Sequence, residues 1–160
     1  MIEETSSFPS NISGREIVTT RIFDAPRERV FEAFSDPVQL KRWWGPDGFT
    51  SSIEVFELRP GGRWLMVMHG PDGTDYPSSN TFLQTVKPER IVFLHHQPPS
   101  HDFRMTMLYT EANGNTQLSW HMLFDSADEC ARLRGVIAAA NEQNFNRLEA
   151  FLKITHPTKS

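Results

Sequence analysis

Hydrophobic positions alternate with polar ones through most of the chain and recur every three to four residues at its end. This pattern predicts a run of strands closed by one long helix. The segment from Glu16 to Phe23 (EIVTTRIF) is β-branched and lies between Gly14 and Asp24, which predicts a first strand; Asp24 and Pro26 then supply helix-start chemistry. Val30, Phe31 and Phe34 fall at helical spacing, and Ser35-Asp36-Pro37 restarts the chain as a second short helix, capped by Asp36 and reaching Trp43. Six strand-like runs follow. The first three are Thr50 to Leu58 before Pro60-Gly61-Gly62, Arg63 to His69 before Gly70-Pro71-Asp72-Gly73, and Asn80 to Val86 before Lys87-Pro88-Glu89. The others are Arg90 to His96 before Pro98-Pro99, Phe103 to Glu111 before Asn113-Gly114-Asn115, and Thr116 to Phe124.

The last element carries the strongest start signal: Ser126 and Glu129 form a capping box, and Asp128 and Glu129 favour the positive end of the helix dipole. Leu133, Val136, Ile137, Ala140, Asn144, Leu148, Phe151 and Leu152 then recur at helical spacing until Thr155-His156-Pro157, a helix of about 26 residues or roughly 39 Å. Each amphipathic face needs a partner layer, and consecutive strands usually pair. The order therefore predicts an α+β fold, a curved seven-stranded antiparallel sheet with the long helix over its concave face. One helix cannot fill that concavity, so a hollow suited to an apolar ligand is expected between the layers. Residues 1–14, with Ser, Pro, Asn and Gly and no apolar period, read as a flexible tail; 15–154 read as a single domain and 155–160 as a second tail.

Composition narrows the function. Of 160 residues 38% are apolar, and 12 Phe, 4 Trp and 2 Tyr are enough to line a globular core. The net charge of −4, without a Lys/Arg block, argues against nucleic acid as a partner. No segment has the roughly 18 apolar residues of a membrane span, and the acidic, polar N-terminus does not resemble a signal peptide, so membrane insertion is not expected and a cytoplasmic location is. The single Cys130 permits no internal disulfide and sits among helix formers, which makes it an inert helix residue. The adjacent His95 and His96 face opposite sides of a strand and cannot easily chelate one ion together, and the histidines show no metal-ligand spacing, so no metal site is expected. No G-x-S-x-G elbow or Cys-His pair is present, which sets covalent hydrolysis aside. Gly61-Gly62 and Pro71-Asp72-Gly73 precede no helix and are turns rather than phosphate loops. No cofactor is implied.

The segments FDAPRERVFEAFSDPVQLKRWWGP, LRPGGRW, HGPDGTDYP, KPERIVF and NGNTQLSW resemble the START-like (SRPBCC) superfamily, in the branch named for the activator of the ninety-kilodalton heat-shock protein ATPase. The resemblance runs from about Glu16 to Leu152 and implies a helix-grip fold. It spans chaperone cofactors, polyketide cyclase-like and toxin-resistance proteins, and lipid or hormone binders, so activity must be argued from the site.

Strand alternation leaves two faces open, and the resemblance selects Trp64, Met66 and Met68, then Ile91, Phe93 and His95, then Phe103, Met105, Met107 and Tyr109, then Leu118, Trp120, Met122 and Phe124 as inward. A wall rich in Met and aromatic groups adapts to several ligand shapes. His95, Tyr109, Asn141 and Asn144 are the polar groups on that wall or on the facing helix, and an unpaired polar group there costs about 1–3 kcal/mol. The expected ligand-binding set is Trp64, Met66, Met68, Phe93, His95, Met105, Met107, Tyr109, Trp120, Met122, Asn141 and Asn144. Trp43-Trp44-Gly45-Pro46 reads as a core plug plus a rim group. The leading expectation is binding of a small, mostly apolar molecule. The alternatives are a polyketide cyclase or dehydratase in which His95 or Tyr109 moves a proton, and a chaperone ATPase-activating interaction protein, whose eukaryotic counterpart carries a separate amino-terminal domain. The sheet edges and the Trp pair are compatible with a homodimer.

Overall fold

The computed structural model describes residues 14–97 and 101–155. The tails expected over 1–14 and 155–160 lie outside this range apart from Gly14 and the backbone of Thr155, as does the Pro98-Pro99 break. The elements are β1 (Glu16–Phe23), α1 (Arg27–Ser35), α2 (Pro37–Leu40), β2 (Thr50–Phe56), β3 (Arg63–His69), β4 (Asp75–Val86), β5 (Arg90–Gln97), β6 (His101–Ala112), β7 (Asn115–Phe124) and α3 (Ala127–Thr155).

The strands form one curved, seven-stranded antiparallel sheet in the order β1-β7-β6-β5-β4-β3-β2. Hairpins link β2 through β7 in sequence, whereas β1 pairs with the last strand in the register Glu16↔Leu123 to Phe23↔Thr116. Register shifts between Ile53 and Val55 and between Phe82 and Gln84 add local twist. The helix-grip arrangement follows: α1 and α2 cover one part of the concave face, and α3 packs most closely on β1, with further contacts to β7 and α1.

Local chemistry explains the helix ends. The Asp36 carboxylate accepts from the Val38 amide (3.0 Å) and starts α2, which stops at Leu40, short of Trp43. Pro26 stands at the N-cap of α1 without a side-chain cap. At α3 the Glu129 amide donates to Ser126 Oγ (3.1 Å), the N-cap bond of the expected capping box. Cys130 is fully buried on this helix, but Val136, placed by its period in the apolar stripe, is 72% exposed. Leu133, Ile137 and Ala140 of the stripe are half-buried, and full burial resumes at Asn141, Asn144, Phe145 and Leu148. At the sheet edge Arg21 reaches α3, donating to Glu142 Oε1 (2.7 Å) and Asn146 Oδ1 (2.8 Å).

The densest part of the core is aromatic. Phe34 of α1 meets Trp64, Phe82, Phe93, Phe56 and Trp44 with ring centroids 5.3–6.4 Å apart. Thr116, buried at the start of β7, donates to the Ala25 carbonyl (2.7 Å) and ties the β1–α1 connection to β7.

Candidate functional site

Because α3 lies toward the β1 side of the sheet, β3 to β6 keep part of their concave face uncovered, and a cavity of about 140 Å³ remains there. Strand alternation builds its floor. Trp64, Met66 and Met68 come from β3, Phe93 and His95 from β5, Phe103 and Met105 from β6, and Trp120 and Met122 from β7. From α3 come Ile137, Ala140, Asn141 and Asn144. Trp64, Phe93 and Trp120 are buried, while Trp44, Met68, His95, Phe103 and Ile137 are half-buried, so the cavity grades from core to surface.

One wall is the loop Trp44-Gly45-Pro46, which α3 holds in place. Asn144 Nδ2 donates to the Trp43 carbonyl (2.9 Å), and Arg147 Nη1 donates to the carbonyls of Gly45 (2.9 Å), Pro46 (3.0 Å) and Trp44 (3.3 Å). Burial lowers the Arg147 pKa and the nearby Asp47 opposes that shift. Gly45 has φ +107°, and a Cβ there would come within 2.9 Å of Met68 Cε, so glycine allows the loop to close on the floor. Trp43 is the core plug expected from the sequence, with Nε1 donating to the Ala33 carbonyl (2.9 Å), and Trp44 is the partner facing the cavity.

The polar groups are largely committed. Asn80 Nδ2 donates to the Trp64 carbonyl (3.1 Å), so its Oδ1 accepts from His95 Nδ1 (2.8 Å), which places a proton on Nδ1. The His95 ring stacks on Phe103 at 4.5 Å. Asn141 Nδ2 donates to Thr19 Oγ1 (3.1 Å) and approaches Met122 Sδ (3.3 Å). By contrast, Trp64 Nε1 and Trp120 Nε1 are buried with no acceptor among the described residues.

The cavity brings together every member of the expected ligand-binding set except Met107 and Tyr109. Both are inward and buried, but they lie farther along the sheet, where α1 covers it and Phe31 packs on Tyr109 at 5.2 Å. His95 and Tyr109 are therefore not partners in one site. Burial holds the Tyr109 hydroxyl well above the usual tyrosine range, so it stays protonated at neutral pH. A folded-state pKa above the unfolded one adds stability that is complete below about pH 10 and is lost as pH rises further. Denaturant titrations should therefore give a stability that falls above that pH, and Tyr109→Phe should flatten the fall.

The sequence reading missed Ser78, whose polar segment around Pro77 reads as loop, and gave no site role to Asn80, which it placed at the start of a strand. A second constellation lies on the outer face: Ser52 Oγ is 2.8 Å from His69 Nε2, and His69 Nδ1 is 2.7 Å from Asp75 Oδ1. The order of atoms is that of an acyl-transfer relay, but the Asp75 side chain is 60% exposed and water competes for it. We read these contacts as ties across β2, β3 and β4. Among the described residues no cluster of His, Cys, Asp or Glu could hold a metal ion, and no helix is long and apolar enough to cross a membrane.

Residues 24–153 match the family model described as "Activator of Hsp90 ATPase homolog 1-like protein". Among solved structures, a protein from Arthrobacter aurescens superimposes with a TM-score of 0.83 at 22% identity, covering 89% of this chain and 88% of that one. Protein Ms6760 from Mycobacterium smegmatis gives 0.79 at 26% identity over 92% and 96%. Protein NE0264 from Nitrosomonas europaea gives 0.80 at 19% identity over 89% and 97%. No curated protein matches the sequence. Likeness at these identities establishes the shared fold and leaves function to the site.

Proposed function

The chain belongs to the activator of Hsp90 ATPase homolog 1-like family, and from that premise we propose that it binds a small, mostly apolar molecule in the cavity between β3 to β7, α3 and the Trp44-Gly45-Pro46 loop. The observation that carries this reading is the makeup of the cavity: four methionines and the rings of Trp44, Trp64, Phe93, Phe103 and Trp120 surround a volume that side chains leave unfilled. Methionine repacks around different shapes at low cost, and a wall of this kind gains from every apolar contact a ligand brings.

Volume limits the ligand. An engineered cavity of about 150 Å³ in another protein holds one benzene, so a void of about 140 Å³ takes one ring with small substituents. Steroid-sized or multi-ring compounds require the methionines or the Trp44-Gly45-Pro46 loop to move. Thermal shift and native mass spectrometry against single-ring compounds should give saturable stabilisation that larger compounds do not match. Absence of stabilisation by every compound overturns the reading.

A second reading rests on the Asn80–His95 pair, which orients an imidazole on the cavity wall as a proton-transfer group for a carbonyl substrate. It requires turnover. On that reading His95→Gln retains binding and loses product formation; equal turnover by the variant rejects it.

A further inference from the structure

The Trp44-Gly45-Pro46 wall owes its position to a side chain that stays outside the cavity. Arg147, half-buried on α3, is not among the residues lining the void, yet its Nη1 donates to the carbonyls of Gly45 (2.9 Å), Pro46 (3.0 Å) and Trp44 (3.3 Å). A guanidinium nitrogen of this kind carries two hydrogens, so three consecutive carbonyls share one cationic head. Hydrogen bonds from an ionised donor are roughly twice as strong as neutral ones. Among the described residues no other donor reaches the carbonyls of Trp44 and Gly45, whereas Pro46 O also accepts from the Phe49 amide (3.1 Å). Without Arg147 those two carbonyls must turn toward water, and the backbone that carries them must turn as well.

Two further ties flank the arginine. One turn earlier on the same helix face, Asn144 Nδ2 donates to the Trp43 carbonyl (2.9 Å) and Gln143 Oε1 accepts from the Asp47 amide (3.1 Å). They hold the ends of the segment and leave its middle to Arg147. There the wall meets the floor: a Cβ on Gly45 would stand 2.9 Å from Met68 Cε and 3.6 Å from Arg147 Nη1, so floor and guanidinium close on the same residue. The Trp44 ring, 5.3 Å from Trp64 and 5.2 Å from Trp120, is carried by this backbone. The floor lies on paired strands and the roof on a long helix, whereas the wall between them has no such ladder of backbone hydrogen bonds. Resting on the reading that the cavity is a ligand site, we infer that Arg147 sets the upper size of the ligand, as a positioning residue that pins the Trp44-Gly45-Pro46 wall against the floor and holds the void at about 140 Å³.

Toluene and 1-methylnaphthalene test the inference, because they share a methyl group and differ by one fused ring. Dissociation constants for both are measured by NMR titration of the full chain and of Arg147→Met and Arg147→Lys. Methionine keeps an apolar stem and removes the donors, while lysine keeps the charge on a compact ammonium. The wild-type protein should prefer toluene. That preference should fall by about tenfold in Arg147→Met, the lower end of what a fixed pocket achieves by fit, and by less in Arg147→Lys. Lost stability alone would weaken both probes alike and leave the ratio in place. In the wild-type protein 1-methylnaphthalene should shift the Arg147 Nε–H resonance and toluene should not, a reading that does not depend on the variants folding. If toluene binds, the ratio is unchanged in both variants and the Arg147 resonance is indifferent to probe size, the size-setting role is overturned and the cavity reading stands. If neither probe binds to saturation in the wild-type chain or in Arg147→Met, the cavity reading itself falls and the role of Arg147 falls with it.

Discussion

Phe34→Ala should lower stability by about 3–5 kcal/mol, the range for removing a buried aromatic ring. Phe34 is 1% exposed and contacts rings from β2, β3, β4 and β5 as well as Trp44, so deleting it removes several packed edges at once and leaves a gap no neighbour can close. For a chain of this size each kcal/mol corresponds to about 2–4 °C, so the melting temperature should fall by roughly 6–20 °C. The effect should extend to binding. Trp44 and Trp64, two of the cavity's aromatic walls, rest on this ring, and losing it frees them to leave the geometry on which the proposed binding depends. Phe34→Leu, which retains much of the volume, should lose far less in both measurements. Equal losses for the two variants would show that the ring contacts carry no special weight.

Gly62→Ala should be comparably severe for a different reason. The added methyl would overlap the Glu57 carbonyl oxygen, a backbone atom that cannot rotate away. The turn is also tied on both sides: the Gly62 amide donates to Arg59 O (2.8 Å), the Phe82 amide to Gly62 O (2.9 Å), and the Gly61 amide to Phe82 O (2.8 Å). Relieving the overlap would therefore break the β2–β3 hairpin or its junction with β4. A cost of about 3 kcal/mol, the upper part of the usual overpacking range, is expected in chemical denaturation. Gly61→Ala is the control. Gly61 has φ +82° and open space around it, so alanine there should cost about 1–2 kcal/mol from backbone strain alone. The reverse ranking would show that the turn yields where the packing says it cannot.

These two residues illustrate what the sequence disclosed. Phe34 was identified from helical spacing and the turn at Gly61-Gly62 from its composition, because both signals are local. The antiparallel strands were equally legible, since one face is buried and alternation follows directly. Alternation tells which face a residue points to but not where along that face the helices stop covering it. Met107 and Tyr109 therefore share the register of Met105 yet pack beneath α1 instead of lining the cavity. Ser78 went unnoticed because β4 begins at Asp75, ahead of the expected start at Asn80, in a polar stretch that contains Pro77 and is held in the sheet by its pairing with β3 (Val67↔Pro77) rather than by its own propensity. The unpaired indole N–H groups of Trp64 and Trp120 have no sequence signature.

The pairing of β1 with β7 also sets an order on synthesis. As the chain leaves the ribosome, each strand from β2 onward meets its hairpin partner soon after it emerges, whereas the segment Glu16–Phe23 must wait for Asn115–Phe124 to be made. Throughout that interval a β-branched ribbon lacks its partner strand, so the first strand to appear waits longest for its place in the sheet.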